Sequence, residues 1–268
     1  MRLSVIHRAA IAGGCWGAVN ILFSLAPLLA GGENQRMSIY HMLCPVLEPS
    51  LDYVGGIPWL LIGICIAPLL VMGDIRQSIQ HNAPYRFTRQ KGRASWYARR
   101  SLCAMAAGVS FALAYALMAA LCSIAWGTEG GGSLAQRQYL QICGLYVVCM
   151  APFMALAALA AWVASMRLGA RVSAVVCMAV ALLLLFAGIS MAETSSPFAI
   201  WGFRINPVCS AILSWRDAGS FGLMPAKAAK GHDLLTGAWI QFIEIALVEL
   251  AGLRMVNKMD IISEPQEG

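Results

Sequence analysis

The chain has 268 residues, of which 59% are hydrophobic and 12% charged, with a formal net charge of +6 and a mean hydropathy of +0.69. An average soluble domain carries about 25% charged residues, so the composition excludes an ordinary soluble fold and points to an integral membrane protein. One all-α domain covering residues 1–268 is expected, built as a bundle of transmembrane helices.

A helix crosses about 30 Å of hydrocarbon with roughly 20 apolar residues, and six segments meet that requirement: 9–30, 54–72, 101–126, 139–166, 172–191 and 236–255. The first is longer than a signal-peptide core and ends in Leu-Leu-Ala, without the small residue that cleavage needs at minus three, so it is expected to be retained. It carries one polar residue at depth, Asn20. The outer loop 31–53 follows, where Tyr40, His41 and Pro45 indicate a short surface helix and a turn.

After the second span comes an inner loop, 73–100, ending in "YRFTRQKGRASWYARRS" at 85–101, which holds six of the 19 Lys and Arg. Pro84 and Gly92 break it, and the residues from Ala94 to Arg100 are expected to run helically into the third span, with Trp96 and Tyr97 at headgroup level. Such an island can attract anionic lipid, at about 1 kcal/mol per basic residue, and it pins topology. It can also dock a cytosolic partner through Tyr85, Phe87 and the arginines. Its mixture of Arg with aromatics favours a structured interface over loose lipid attraction.

The fourth span contains "ALAALAAWVAS", which puts Ala157, Ala161 and Ser165 on one face, and Ala160 and Ala164 on another, at four-residue spacing. Small residues so spaced let helices approach closely in lipid, either within the chain or across a dimer. "GVS" at 108–110 in the third span resembles a hydrolase motif by chance only.

The outer segment 192–235 is the longest, with Phe198, Trp201, Phe203, Trp215 and Phe221 among Pro, Gly and Ser. Short re-entrant or surface-lying helices are expected there, either as an aromatic belt or as a substrate contact. The sixth span holds Gln241, Glu244 and Glu249. A carboxyl at membrane depth costs roughly 2.5 to 3.5 kcal/mol on insertion scales, so it should face protein or water, or be protonated. Five residues on a helix turn about 500°, which points Glu244 and Glu249 apart. Glu249 is expected to snorkel or to pair with Arg254; Glu244 is a wall of a pathway or a helix–helix hydrogen bond.

With the N terminus inside, 13 Lys and Arg fall on the inner side and six on the outer, so both ends are expected in the cytoplasm. Seven of the nine cysteines lie within apolar spans without metal-ligand spacing. Cys44 and Cys209 lie in outer loops, and a disulfide between them is left open. No catalytic constellation is present: all four histidines lie outside the spans, and there is no phosphate-binding G-x-x-x-x-G-K-[ST] loop. No metal or cofactor is expected in this chain.

A six-span chain with both ends inside, "PYRFTRQKGRASWYARRSL" before the third span, a long aromatic outer segment and a tail reading "RMVNKMDII" resembles the permease subunits of ABC-2 type transporters. It is most similar to the small permeases of lantibiotic and bacteriocin export or self-immunity in Gram-positive bacteria. The matching positions are Arg86, Arg89, Lys91, Arg93, Trp96, Lys258, Asp260, Ile261 and Ile262; the region around Cys44 and Pro45 departs from the pattern. The resemblance implies that the first inner loop holds a coupling helix seated in a separately encoded ATPase, which binds the ATP and Mg. It also implies a second permease, identical or related, and an outer segment like that class's re-entrant hairpin.

The expected function is therefore export, or extraction from a bacterial cytoplasmic membrane, of an amphipathic peptide or lipid-like substrate. Tyr85, Arg86, Phe87, Arg89, Lys91, Arg93 and Trp96 would couple to the ATPase, Asn20 and Glu244 would line the pathway, and Trp201, Phe203 and Trp215 would belong to the outer segment. The alternative is a non-transporting immunity or sensor partner in the membrane.

Overall fold

A computed structural model describes residues 4–29, 61–72, 93–125, 136–216 and 232–258. Every regular element among them is helical. They are α1 (Val5–Leu29), α2 (Leu61–Met72), α3 (Arg93–Ala125), α4 (Gln136–Ala192), two short helices α5 (Pro197–Ile205) and α6 (Pro207–Ala211), a 3-10 turn (Leu213–Trp215) and α7 (Leu234–Lys258). Three of the described helical segments, Arg93–Cys122, Gln141–Ala192 and Leu234–Lys258, are long and apolar enough to cross a membrane. That is consistent with a membrane protein.

The helix α4 is two limbs joined at Gly169, whose φ of 73° and ψ of 162° interrupt the helical path. A side chain would be strained in that conformation, and glycine is not. Beyond the glycine the chain doubles back: Ser173 Oγ donates to the Ala161 carbonyl at 3.1 Å, two groups that would stand about 18 Å apart along a straight helix. The break expected between 166 and 172 falls at this residue.

Small residues set the packing distances. A Cβ added at Gly108 on α3 would lie 2.2 Å from the Met154 carbonyl oxygen on the first limb of α4, so the two backbones are in direct contact there. On α1, Gly13 and Gly17 face the backbone and side chains of Phe111, Tyr115 and Met118 in the same way. Helices in lipid gain little from apolar burial against one another, and close van der Waals approach takes its place. Of the small residues expected to pack in the fourth span, Ala161 and Ser165 are buried, whereas Ala157, Ala160 and Ala164 are partly exposed and line a cavity.

Ser4 caps α1, accepting from the His7 N–H at 3.4 Å. The Ile6 carbonyl accepts from Ser110 Oγ at 3.2 Å, so α1 begins opposite the middle of α3.

The outward faces are apolar. On α7, Trp239, Phe242, Ile243, Leu247 and Leu250 are exposed, while Gln241, Gly237 and Gly252 are buried. On α3, Leu102, Leu113, Leu117 and Leu121 are exposed. Apolar residues out and polar or small residues in is the reverse of a water-soluble bundle, and it suits a surface solvated by acyl chains.

Candidate functional site

Three arrangements of polar and aromatic groups stand out. The first sits at the start of α3. Arg93 opens the helix, and one turn later Trp96 and Tyr97 turn inward onto the first limb of α4, with ring centroids 6.1 Å and 4.9 Å from Trp162. Tyr97 is 1% and Trp96 8% exposed, so these two aromatics pack between helices. Tilted pairs at such distances add about 0.5 to 1.5 kcal/mol beyond area burial.

The same turn is bound to α7. Ser101 Oγ donates to Glu249 Oε1 at 2.7 Å, and the Tyr97 hydroxyl lies 3.1 Å from the Glu249 carbonyl oxygen and 3.2 Å from Oε2. Glu249 therefore fastens α7 to α3, where snorkelling or a pair with Arg254 had been expected. A sequence read along one helix cannot tell which neighbour crosses it. The crossing depends on Gly252, where a Cβ would fall 2.1 Å from the Tyr97 hydroxyl oxygen. Removing the Ser101 hydroxyl is expected to lower stability by about 0.6 kcal/mol, the usual size of an interhelical hydrogen bond in lipid. A double-mutant cycle of Ser101→Ala with Glu249→Gln, read by thermal unfolding, checks this and should give non-additive losses.

The second arrangement is a cap of short helices formed by α5, α6 and the 3-10 turn. Ser196 caps α5 through the Ala199 N–H at 3.3 Å, with Pro197 in the first helical position. Asn206 repeats the device for α6, accepting from the Val208 N–H at 3.0 Å, and its amide also donates to the Leu184 carbonyl at 2.6 Å. The cap is thereby tied to the second limb of α4. Phe203 and Trp215 are fully buried beneath it and stack with centroids 6.2 Å apart. Trp201 points outward, 63% exposed. Of the three outer aromatics, two are core and one is surface, a distinction that composition does not carry.

Under the cap lie Arg216 and His232, both buried. Arg216 donates to the Leu234 carbonyl at 2.9 Å and to the Ser210 carbonyl, and Ser210 Oγ is 3.4 Å from His232 Nε2. Burial is the main cause, and the charges of Arg216 and Arg204 add to it, in lowering the His232 pKa from 6.5 to about 4, against a small opposite pull from Asp233. The unfolded chain therefore takes up a proton near pH 6.5 that the folded chain refuses until about pH 4. Stability present above pH 6.5 is expected to fall as the pH drops towards 4. Thermal midpoints measured across that range should decline more steeply in the natural chain than in His232→Gln.

The third arrangement is a cavity of about 390 Å³ between α2, both limbs of α4, α6 and α7. Ala157, Ala160 and Ala164 form one wall, Cys177 and Ala181 another, and Glu244 is the one charged residue on its lining among the described residues. Glu244 Oε2 is buried and has no hydrogen-bond partner among the described residues. Of the two readings the sequence left open, a lining position agrees with this placement.

Asn20 is elsewhere. It is buried on α1, and its amide donates to the Tyr115 hydroxyl, which stacks on Tyr146 at 5.6 Å. Asn20 and Glu244 are thus not brought together in the cavity. Cys209 is a fully buried free thiol whose pKa burial pushes up, leaving it unreactive; Cys44 lies outside the described residues. So do Tyr85, Arg86, Phe87, Arg89 and Lys91 of the basic stretch, and Asp260, Ile261 and Ile262 of the tail.

Tyr97, Ser101 and Glu249 were missed as a group by sequence reasoning, and so was the Gly13 and Gly17 contact, although its four-residue spacing was there to be read. Known families, curated proteins and solved structures contain no match to this chain.

Proposed function

We propose that this chain is the membrane-spanning permease subunit of an ATP-driven transporter of the ABC-2 kind. Six spans with both termini in the cytoplasm, in a bacterial cytoplasmic membrane, make up its transmembrane domain. A separate cytosolic ATPase binds the nucleotide and Mg, and a second permease, the same chain or a related one, completes the membrane core. The substrate is an amphipathic peptide or lipid-like molecule that is exported or drawn out of the membrane. The chain itself performs no covalent chemistry.

The observation that carries this reading is the anchoring of the first two turns of α3. The basic stretch 85–93 runs into Arg93, and immediately beyond it Trp96 and Tyr97 hold α4 through Trp162, while Tyr97 and Ser101 hold α7 through Glu249. A push on the residues before Arg93 is therefore transmitted to three helices together, and two of these, α4 and α7, line the cavity that contains Glu244. Packed side chains and rigid helices so linked can carry energetic coupling between distant sites.

The test is purification of the tagged chain from its native cells in mild detergent, with mass spectrometry of what accompanies it. An ATPase bearing a Walker motif is expected. Recovery of the chain alone, or with a sensor protein, would replace the permease by a non-transporting immunity or sensor subunit.

A further inference from the structure

The cavity beside Glu244 is a half-open cleft between helices, and its chemistry narrows what fills it. Water occupies about 30 Å³ per molecule and needs 2 to 4 polar partners. A space of about 390 Å³ whose one charged lining group among the described residues is Glu244 does not hold a water cluster of that size well. An apolar body suits the alanine, cysteine and leucine walls, and the size falls within the range of about 300 to 1,000 Å³ typical of small-ligand sites. The buried Glu244 oxygen without a partner among the described residues is costly as a carboxylate in such surroundings unless it is protonated or a cation stands opposite it.

We propose that this cavity binds an amphiphile with a single cationic amine headgroup, Glu244 serving as its counter-ion and the apolar walls taking its tail. Among the described residues no Lys or Arg lines the cavity, so within them a headgroup that also carries a phosphate has no partner for its anionic half. The site therefore selects a singly charged amphiphile over a zwitterionic bilayer lipid. As a substrate site it rests on the permease reading above, whereas binding itself is measured without any ATPase.

The experiment uses the full chain in nanodiscs of neutral phosphatidylcholine, with protein-free discs subtracted, and compares dodecylamine with dodecanol by equilibrium binding. Dodecylamine is expected to bind at least tenfold more tightly. Glu244→Gln should remove the difference while leaving dodecanol binding in place, Glu244→Asp should retain it, and Ala160→Phe should abolish binding of both by filling the cavity. Equal affinities in the natural chain, or a preference that persists in Glu244→Gln, overturn the proposal. Phosphatidylethanolamine displacing dodecylamine as strongly as dodecylamine displaces itself would overturn it too.

Should Glu244→Gln fail to fold, the natural chain still decides. Dodecyltrimethylammonium, which carries the charge but cannot couple to an activated carboxyl, is expected to protect Glu244 from an apolar carbodiimide as read by mass spectrometry, whereas dodecanol is not, and absence of protection contradicts the site. Failure of the permease reading would look different: amine binding would stand with no ATPase associated.

Discussion

Gly108→Val is expected to prevent the bundle from closing, whereas Gly144→Val leaves it intact. Both glycines lie in apolar helices, α3 and the first limb of α4, so the intrinsic helix preference changes alike in both variants. Their surroundings differ. A Cβ at position 108 meets the Met154 carbonyl oxygen at 2.2 Å, its carbon at 2.5 Å and the Ala155 nitrogen at 2.8 Å, all backbone atoms that no rotamer change can move. At Gly144 no atom lies within 4 Å. Overpacking a fitted contact costs about 1 to 3 kcal/mol where side chains can yield, and here the helices themselves must separate. The loss at Gly108 is therefore expected at or above about 3 kcal/mol, with Gly144→Val within about 0.5 kcal/mol of the natural chain. Thermal unfolding in detergent, or the yield of monodisperse protein, distinguishes the two; equal behaviour would remove the α3–α4 contact from the fold.

Replacing Arg86, Arg89 and Arg93 together by alanine is expected to abolish stimulation of the partner ATPase by this chain while membrane expression persists. Arg93 is the first residue of α3, three residues ahead of Trp96, and the other two precede it in the same basic stretch. Arginine contacts to a protein partner are directional and often bidentate, so their loss is felt as lost docking. Attraction to anionic lipid is additive in charge at about 1 kcal/mol per residue, and a lysine-for-arginine version of the same variant would preserve it. Stimulation that survives in the alanine variant removes the coupling role, and stimulation restored fully by lysine assigns the stretch to charge alone.

Much of the helical framework was legible in advance because apolar runs of sufficient length have few other uses. The turn at Gly169 was readable from Arg167 and Arg171 flanking it, and the helical lead into the third span from the residues after Gly92. The opposed directions of Glu244 and Glu249 followed from helix geometry, and they do serve different neighbours: one lines a cavity, the other fastens α7 to α3. What helix geometry could not supply was the identity of those neighbours. Tyr97 reads as an interfacial aromatic until Gly252 and Trp162 are placed against it, and Trp201 and Phe203 are indistinguishable until one is seen to be exposed and the other buried. Asn20 was read from the sequence as a pathway residue, and its bond to Tyr115 became visible only when α1 was set against α3. Interhelical pairing is decided by crossing angle and stagger, and no single helix encodes these.

The most direct measurement is photo-crosslinking in native cells from a photoreactive residue placed at Phe87, inside the basic stretch. A covalent adduct with a cytosolic ATPase that disappears on Arg86, Arg89 and Arg93 replacement is the predicted result. Adducts with lipid alone, in cells where the chain is intact and in the membrane, would contradict it and make the stretch an anchor.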